Sequence, residues 1–271
     1  MQELRIKKAT VEDLNDIAAI SRGTWDGDDY LEKKAPEWIM DGSLYSGGLN
    51  GRILGTFRLS PMPDGVLWLE GLRVHPDYRG QGYGRQMADA AFQTGKKFIH
   101  RGEAECMEFS TYIYNHESIH ISVSQGFRIV NRFIIMVREG IESSGKIEII
   151  EPYHKDFSDI LSYIPCGWKY PRLSPEGISW ALKRSDIYRN GKVVFVRKKG
   201  SDETTPVSGA KDNPDGFFDG AEAAAGLAGD SHSSIILHES NVNLIEKAYK
   251  RGYKTWEPVD GSNVLIFRYD M

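Results

Sequence analysis

The stretch Leu72-Arg73-Val74-His75-Pro76-Asp77-Tyr78-Arg79-Gly80-Gln81-Gly82-Tyr83-Gly84-Arg85 reads as the end of an apolar strand, a proline turn, and an arginine followed by three alternating glycines. Beyond it Met87, Ala88, Ala91 and Phe92 fall at helical spacing. Glycine has no Cβ, so successive backbone N–H groups can adopt left-handed dihedrals and converge on one point. The helix that opens there adds its unpaired N–H groups and the positive end of its dipole. Such a turn suits a pyrophosphate.

Spacing narrows the ligand. A dinucleotide-binding turn requires a third glycine where this chain has Arg85, and a triphosphate loop around Gly95-Lys96 finds Ala90 and Lys97 in the other required places. What remains is Arg79-x-x-Gly82-x-Gly84 after a strand valine, within Val74-x-Pro76-x-Tyr78-Arg79-Gly80-x-Gly82-x-Gly84. That string resembles the acetyl-coenzyme A loop of the GNAT N-acetyltransferases. The resemblance implies acetyl-CoA as cosubstrate, held along Leu72, Arg73, Val74, Arg79, Gly80, Gln81, Gly82, Tyr83, Gly84 and Arg85.

A second piece lies downstream. Met107 to Ile113 alternates as a strand, and Asn115-His116-Glu117-Ser118-Ile119 opens a helix that stops at Gly126-Phe127. Asn115, Ser118, Gly126 and Phe127 are similar in spacing to the second coenzyme motif of the same family, which implies that Asn115 and Ser118 meet the pantetheine arm. Read alone, the residues also fit an ordinary helix with Asn as N-cap and Gly as C-cap. Many members carry a tyrosine seven residues after that asparagine, which protonates the departing thiolate. Here Ser122 takes that place, and a serine hydroxyl is a far poorer acid than a phenol. Tyr112, Tyr114 and His120 stand nearby as alternatives.

The 271 residues, 40% hydrophobic and 27% charged, describe an ordinary globular chain able to bury one large core or two modest ones. No apolar run reaches membrane-spanning length and the N-terminus has no secretory pattern, so no membrane partner is expected. Two cysteines build no disulfide framework, which points to the cytoplasm. A net charge of −4 argues against nucleic acid. A homodimer stays open.

The chain echoes itself. Leu4 to Ile17 reads as strand, N-cap and helix, with Thr10 and Asp13 at capping-box spacing and Leu14, Ile17 and Ala18 inward. Ile147 to Ile160 repeats the plan, with a helix burying Phe157, Ile160, Leu161 and Ile164, and Asp13 and Asp16 match Asp156 and Asp159 at one shift. Asn241 precedes Gly252-Tyr253 as Asn115 precedes Gly126-Phe127. The expected fold is therefore α/β: a mixed, twisted sheet of the acyl-CoA N-acyltransferase type, duplicated, with a degenerate second copy. A GNAT catalytic domain over 1–140 and a GNAT-like domain over 146–271 are joined near Glu139 to Lys146, where Gly140 and Ser143-Ser144-Gly145 break the pattern. In the second copy Thr205 to Gly216 carries no arginine-and-glycine arrangement, so no coenzyme is expected there, and Gly220 to Gly229 reads as a packed helix or a loop.

Acyl transfer to an amine needs a proton acceptor and oxyanion stabilisation. Glu70 lies on the strand before the loop, and strict alternation puts it on one face with Leu72 and Val74. It is the candidate base; a surface or acceptor-binding glutamate is the alternative. Thr24 to Leu31 supplies Trp25, Asp29 and Tyr30 as acceptor-binding candidates, three aspartates and two aromatics suiting a cationic amine, while helix-start aspartates explain the same segment equally. With Trp38 and Leu69-Glu70-Gly71-Leu72-Arg73-Val74, this segment resembles the subgroup containing histidine N-acetyltransferases, which implies a small amine such as a free amino acid. His116-Glu117-Ser118-Ile119-His120 also spells a zinc-protease string. It sits inside the coenzyme motif, and no metal is assigned. The reading is acetyl-CoA-dependent N-acetylation of a small-molecule amine by direct transfer; the alternative is a non-catalytic acyl-CoA sensor.

Overall fold

Thr10 opens the first helical segment: the Asp13 carboxylate accepts the Thr10 N–H at 3.0 Å and is held from its other oxygen by Lys7 at 2.8 Å. The computed structural model describes residues 2–141, 147–151, 156–259 and 261–271, with the backbone alone at position 26. Two compact units divide it, Met1–Phe109 with Glu117–Arg128 and Arg268–Met271, and Ser110–His116 with Ile129–Phe267. The expected linker residues 142–146 lie outside the described residues.

The first unit draws on β1 (Arg5–Lys8), α1 (Leu14–Arg22), α2 (Leu31–Met40), β2 (Leu44–Leu49), β3 (Arg52–Pro61), β4 (Val66–Val74), α3 (Tyr83–His100), β5 (Cys106–Tyr112) and α4 (His116–Ser124). Its strands run in the order β1-β2-β3-β4-β5, antiparallel until the parallel β4–β5 pair. Ile17, Ile20, Leu31, Ala35 and Trp38 pack from α1 and α2 onto Leu44 and Ile53. Burial of each of the isoleucines and leucines among them contributes on the order of 2 kcal/mol.

The second unit draws on β6 (Arg128–Glu139), β7 (Glu148–Ile150), α5 (Pro175–Leu182), β8 (Ser185–Asn190), β9 (Val193–Lys198), β10 (Glu203–Ser208), α6 (Pro214–Leu227), β11 (His232–His238), α7 (Val242–Lys250) and β12 (Val264–Asp270). Its strand order is β12-β6-β11-β10-β9-β8-β7, and from β6 onward it is antiparallel apart from one parallel pair, β10–β11. The repeated plan is mixed α/β in both units, as the sequence echo predicts. Asp16 and Asp159, paired by that echo, each accept a backbone N–H at 2.7 Å, from Ile53 and Ala210 respectively.

One local expectation differs. Phe157, Ile160 and Ile164 are buried, but they sit in turns rather than a helix, and Leu161 is exposed. Asp156 accepts the Ser158 N–H in an Asx turn, and the Asp159 and Ile164 N–H groups go to Val207 and Pro171. Side-chain and sheet partners thus outcompete the helical ladder. Gly220 to Leu227 belongs to α6, whose Phe217, Phe218, Ala221 and Ala224 are buried against Phe195 and Ile235. Among the described residues no helix is long and apolar enough to cross a membrane.

Glu203 on β10 is buried, and burial, with Asp202 adding to it, pushes its carboxyl up from 4.5 to about 7 against the pull of Lys198 and Arg197. The folded state therefore holds this proton more tightly than the unfolded chain, and its stabilisation is lost as pH rises from 4.5 to about 7. The expected loss is on the order of 3 kcal/mol. Urea unfolding across that window should show the decline in the wild type and a flatter profile in Glu203→Gln; equal slopes contradict it.

Candidate active site

Strand β4 does not keep strict alternation. Thr56 pairs with Arg73 and Arg58 with Glu70, so Gly71 and Leu72 together oppose one residue of β3. Gly71 takes φ +64° to make this β-bulge, and its carbonyl accepts the Thr56 hydroxyl at 2.9 Å. The extra residue corrects the expected facing: Glu70 shares its face with Arg73, not with Leu72 and Val74. The parallel ladder to β5 covers Val66–Trp68 and ends there, leaving the β5 side of the later β4 residues outside it.

Residues from α1 to β4 meet on the Glu70 face. Arg58 Nη1 donates to Glu70 Oε1 at 2.9 Å, Nη2 to Asp41 at 2.8 Å and Nε to Ser43 at 2.7 Å, while its guanidinium lies 4.5 Å from the Trp38 ring centre. Burial raises the Asp41 carboxyl, but Ser43 and Arg58 hold it below its ordinary value. Arg73 grips the buried Asp29 through Nε at 3.2 Å and Nη2 at 3.1 Å, and lies 4.2 Å from the centre of Trp25 and 5.4 Å from that of Tyr30. Tyr30 in turn meets Trp38 edge-on at 5.8 Å. The aromatic faces read from sequence as a seat for a cationic acceptor are thus covered by Arg73. Asp29 carries Arg73 as its partner; the Asp26 side chain lies outside the described residues. Arg58 was not singled out in the sequence, because its role depends on cross-strand register with Glu70.

The glycine turn follows β4. Gly80 and Gly82 take φ +72° and +83°, and Gly82 caps α3 without a side-chain hydrogen bond. Among the described residues no acceptor meets the backbone N–H groups of Gly80, Gln81, Gly82, Tyr83 and Gly84. Arg79 does not point its charge at that cradle. Its Nε donates to the Val74 carbonyl at 3.1 Å, and Nη2 donates to Gly23 O at 3.0 Å and Thr24 Oγ1 at 2.9 Å. Its side chain staples the turn to β4 and to the end of α1. Gln81 donates to the Asp77 carbonyl, Arg85 pairs with Asp89 at 3.3 Å, and Tyr83 is buried at the start of α3. Leu72 is partly exposed; Val74 lies opposite Gly55, on the α3 side.

Ser118 and Ser122 lie on α4, Ser122 buried, and Gly126 ends that helix at φ +92°. Asn115 belongs to the second unit, where its amide donates to Thr111 Oγ1 at 3.1 Å. At the corresponding turn of the second unit, Asn213 caps α6 and accepts the Gly216 N–H at 3.0 Å, so a side chain occupies that helix start. Among the described residues no three His, Cys, Asp or Glu side chains gather as a metal site.

The acetyltransferase (GNAT) family profile matches residues 11–127. None of the curated proteins matches the chain. Over its whole length the chain is similar in fold to a candidate acetyltransferase from Thermoplasma acidophilum (18% identity, TM-score 0.67, 98% of this chain and 100% of that one). It is also similar to a GCN5-related N-acetyltransferase from Sphaerobacter thermophilus (12%, 0.60, 98% and 95%). A tandem GNAT protein from the clavulanic acid biosynthesis pathway shares the fold as well (10%, 0.62, 99% and 98%).

Removing one member of a buried ion pair leaves the other uncompensated. Asp29→Ala should lower stability by about 3 kcal/mol, read from the denaturant midpoint, because Arg73 loses both its bonds to a carboxylate. An unchanged midpoint contradicts the pairing.

Proposed function

We propose that this chain, whose residues 11–127 match the acetyltransferase (GNAT) family profile, moves an acetyl group from acetyl-CoA to the amine of a small molecule. The observation that carries this reading is the row of unfilled N–H groups from Gly80 to Gly84 at the start of α3, beside a strand that bulges at Gly71. A bound acetyl-CoA supplies the activated thioester.

The N–H groups of Gly80 to Gly84 hold the diphosphate, with the α3 dipole behind them. Arg79 fixes the turn rather than the ligand, and Arg85 can leave Asp89 on the exposed helix surface to add charge. Asn115 and Ser118 are assigned to the pantetheine amides by the family resemblance. Glu70 takes the proton of the attacking amine, its carboxylate oriented by Arg58. As the nitrogen–carbon bond forms, backbone N–H groups of β4 past Trp68 stabilise the oxyanion. Collapse breaks the carbon–sulfur bond; the Ser122 hydroxyl, too weak an acid to give up its proton, can only hydrogen-bond the thiolate, which takes its proton from solvent. No covalent enzyme intermediate is needed. Trp25, Asp29 and Tyr30 act on the acceptor through Arg73, whose guanidinium keeps donors beyond those given to Asp29 and Leu72. A free amino acid, with an amine for Glu70 and a carboxylate for a guanidinium, fits that arrangement.

Release of coenzyme A thiol over a panel of amines tests the reading. Glu70→Gln should bind acetyl-CoA as the wild type does and lose about 100-fold in kcat. Tight binding of acetyl-CoA with no turnover on any amine would instead identify a sensor.

A further inference from the structure

Aromatic faces in this chain are repeatedly covered by its own cations. Arg73 lies over Trp25, Arg58 over Trp38, Arg184 over Trp180 at 4.0 Å and Arg251 over Phe218 at 5.8 Å. One aromatic group in the second unit departs from this habit. Trp168 and Trp256 lie near-parallel with centroids 6.3 Å apart, Tyr112 meets Trp256 at 5.7 Å, and Tyr114 meets Tyr112 edge-on at 5.7 Å. Among the described residues no cation of the protein lies over these four rings. Trp256 is 52% exposed, Tyr114 43% and Trp168 37%. Open aromatic area of this kind is unusual on a surface with nothing to bind.

The rings are held in place from three separate segments. Ser110 Oγ donates to the Trp168 carbonyl at 2.8 Å, Tyr114 Oη to the Pro258 carbonyl at 2.7 Å, and Thr255 Oγ1 to the Glu257 carbonyl at 2.7 Å. The group is therefore preorganised, which removes much of the ordering cost of binding. Two further features give the ligand its chemistry. The Tyr112 hydroxyl is buried and has no hydrogen-bond partner among the described residues, an expensive arrangement for a group a ligand could satisfy. Burial and the neighbouring Glu257 carboxylate both push the Tyr112 phenol up, so a negative charge acts at the site.

We propose that Tyr112, Tyr114, Trp168 and Trp256, with Glu257 beside them, form a binding site for a small organic cation. The cation rests on the negative ring faces and Glu257 supplies the countercharge. The site takes none of its residues from the Gly80–Gly84 turn, and it makes a cationic amine the ligand class of the second unit.

Titration of the full chain with tetramethylammonium, without acetyl-CoA, tests this by tryptophan fluorescence, with tert-butanol as a neutral probe of similar shape. The expected result is a saturable change with tetramethylammonium at concentrations at least tenfold below any with tert-butanol. Trp256→Ala should weaken it tenfold or more, Trp256→Phe should keep it within threefold, and Glu257→Gln should narrow the preference over tert-butanol. An equal response to both probes, or wild-type binding by Trp256→Ala, overturns the proposal. Since acetyl-CoA takes no part, failure here leaves the acetyl-transfer reading standing, and failure of that reading leaves this one.

Discussion

Among the described residues, five consecutive backbone N–H groups at the start of α3 face no acceptor. Such donors are tolerated only at a surface or against a ligand, and here they stand together at a helix start, with Gly80 and Gly82 in left-handed conformations. A turn of this shape has no side-chain cap to hold it. Arg79 does that work instead, binding the end of β4 and the end of α1 with one guanidinium. The second unit shows the contrast: Asn213 satisfies the α6 start internally and leaves no comparable cradle.

The bulge at Gly71 is the second determinant. It turns Glu70 and Arg73 to one face of β4 and Val74 to the α3 side, so the strand that carries the candidate base leads into the coenzyme turn on another face. Arg58 and Arg73 then act as interior scaffolding. Each spans a carboxylate and an aromatic ring, which fixes the Glu70 carboxylate and the α2 aromatics relative to β4.

Much of this frame was legible from residue order. The turn at Arg79 to Gly84, the capping box at Thr10, the stop at Gly126 and the strand read over Met107 to Ile113, found one residue earlier as β5, each depend on local chemistry that a sequence displays directly. What was not legible depends on register and on competition. Alternation places Glu70 with Leu72 and Val74 only if no residue is inserted, and nothing in Glu70-Gly71-Leu72 separates a bulging glycine from a regular one. The destinations of Arg73 and Arg79 follow from Asp29, Gly23 and Thr24, which lie some 50 residues earlier. The turn at Phe157 to Ile164 has helical spacing, but Asp156 and the sheet claim its backbone.

Isothermal calorimetry of acetyl-CoA with the wild type and with Gly82→Val tests the central claim most directly, since a β-branched residue cannot hold φ +83° without strain. The account predicts saturable heat for the wild type and at least tenfold weaker binding, about 1.4 kcal/mol, for a variant that still folds. Absence of heat with the wild type, or equal affinity in the variant, would contradict it.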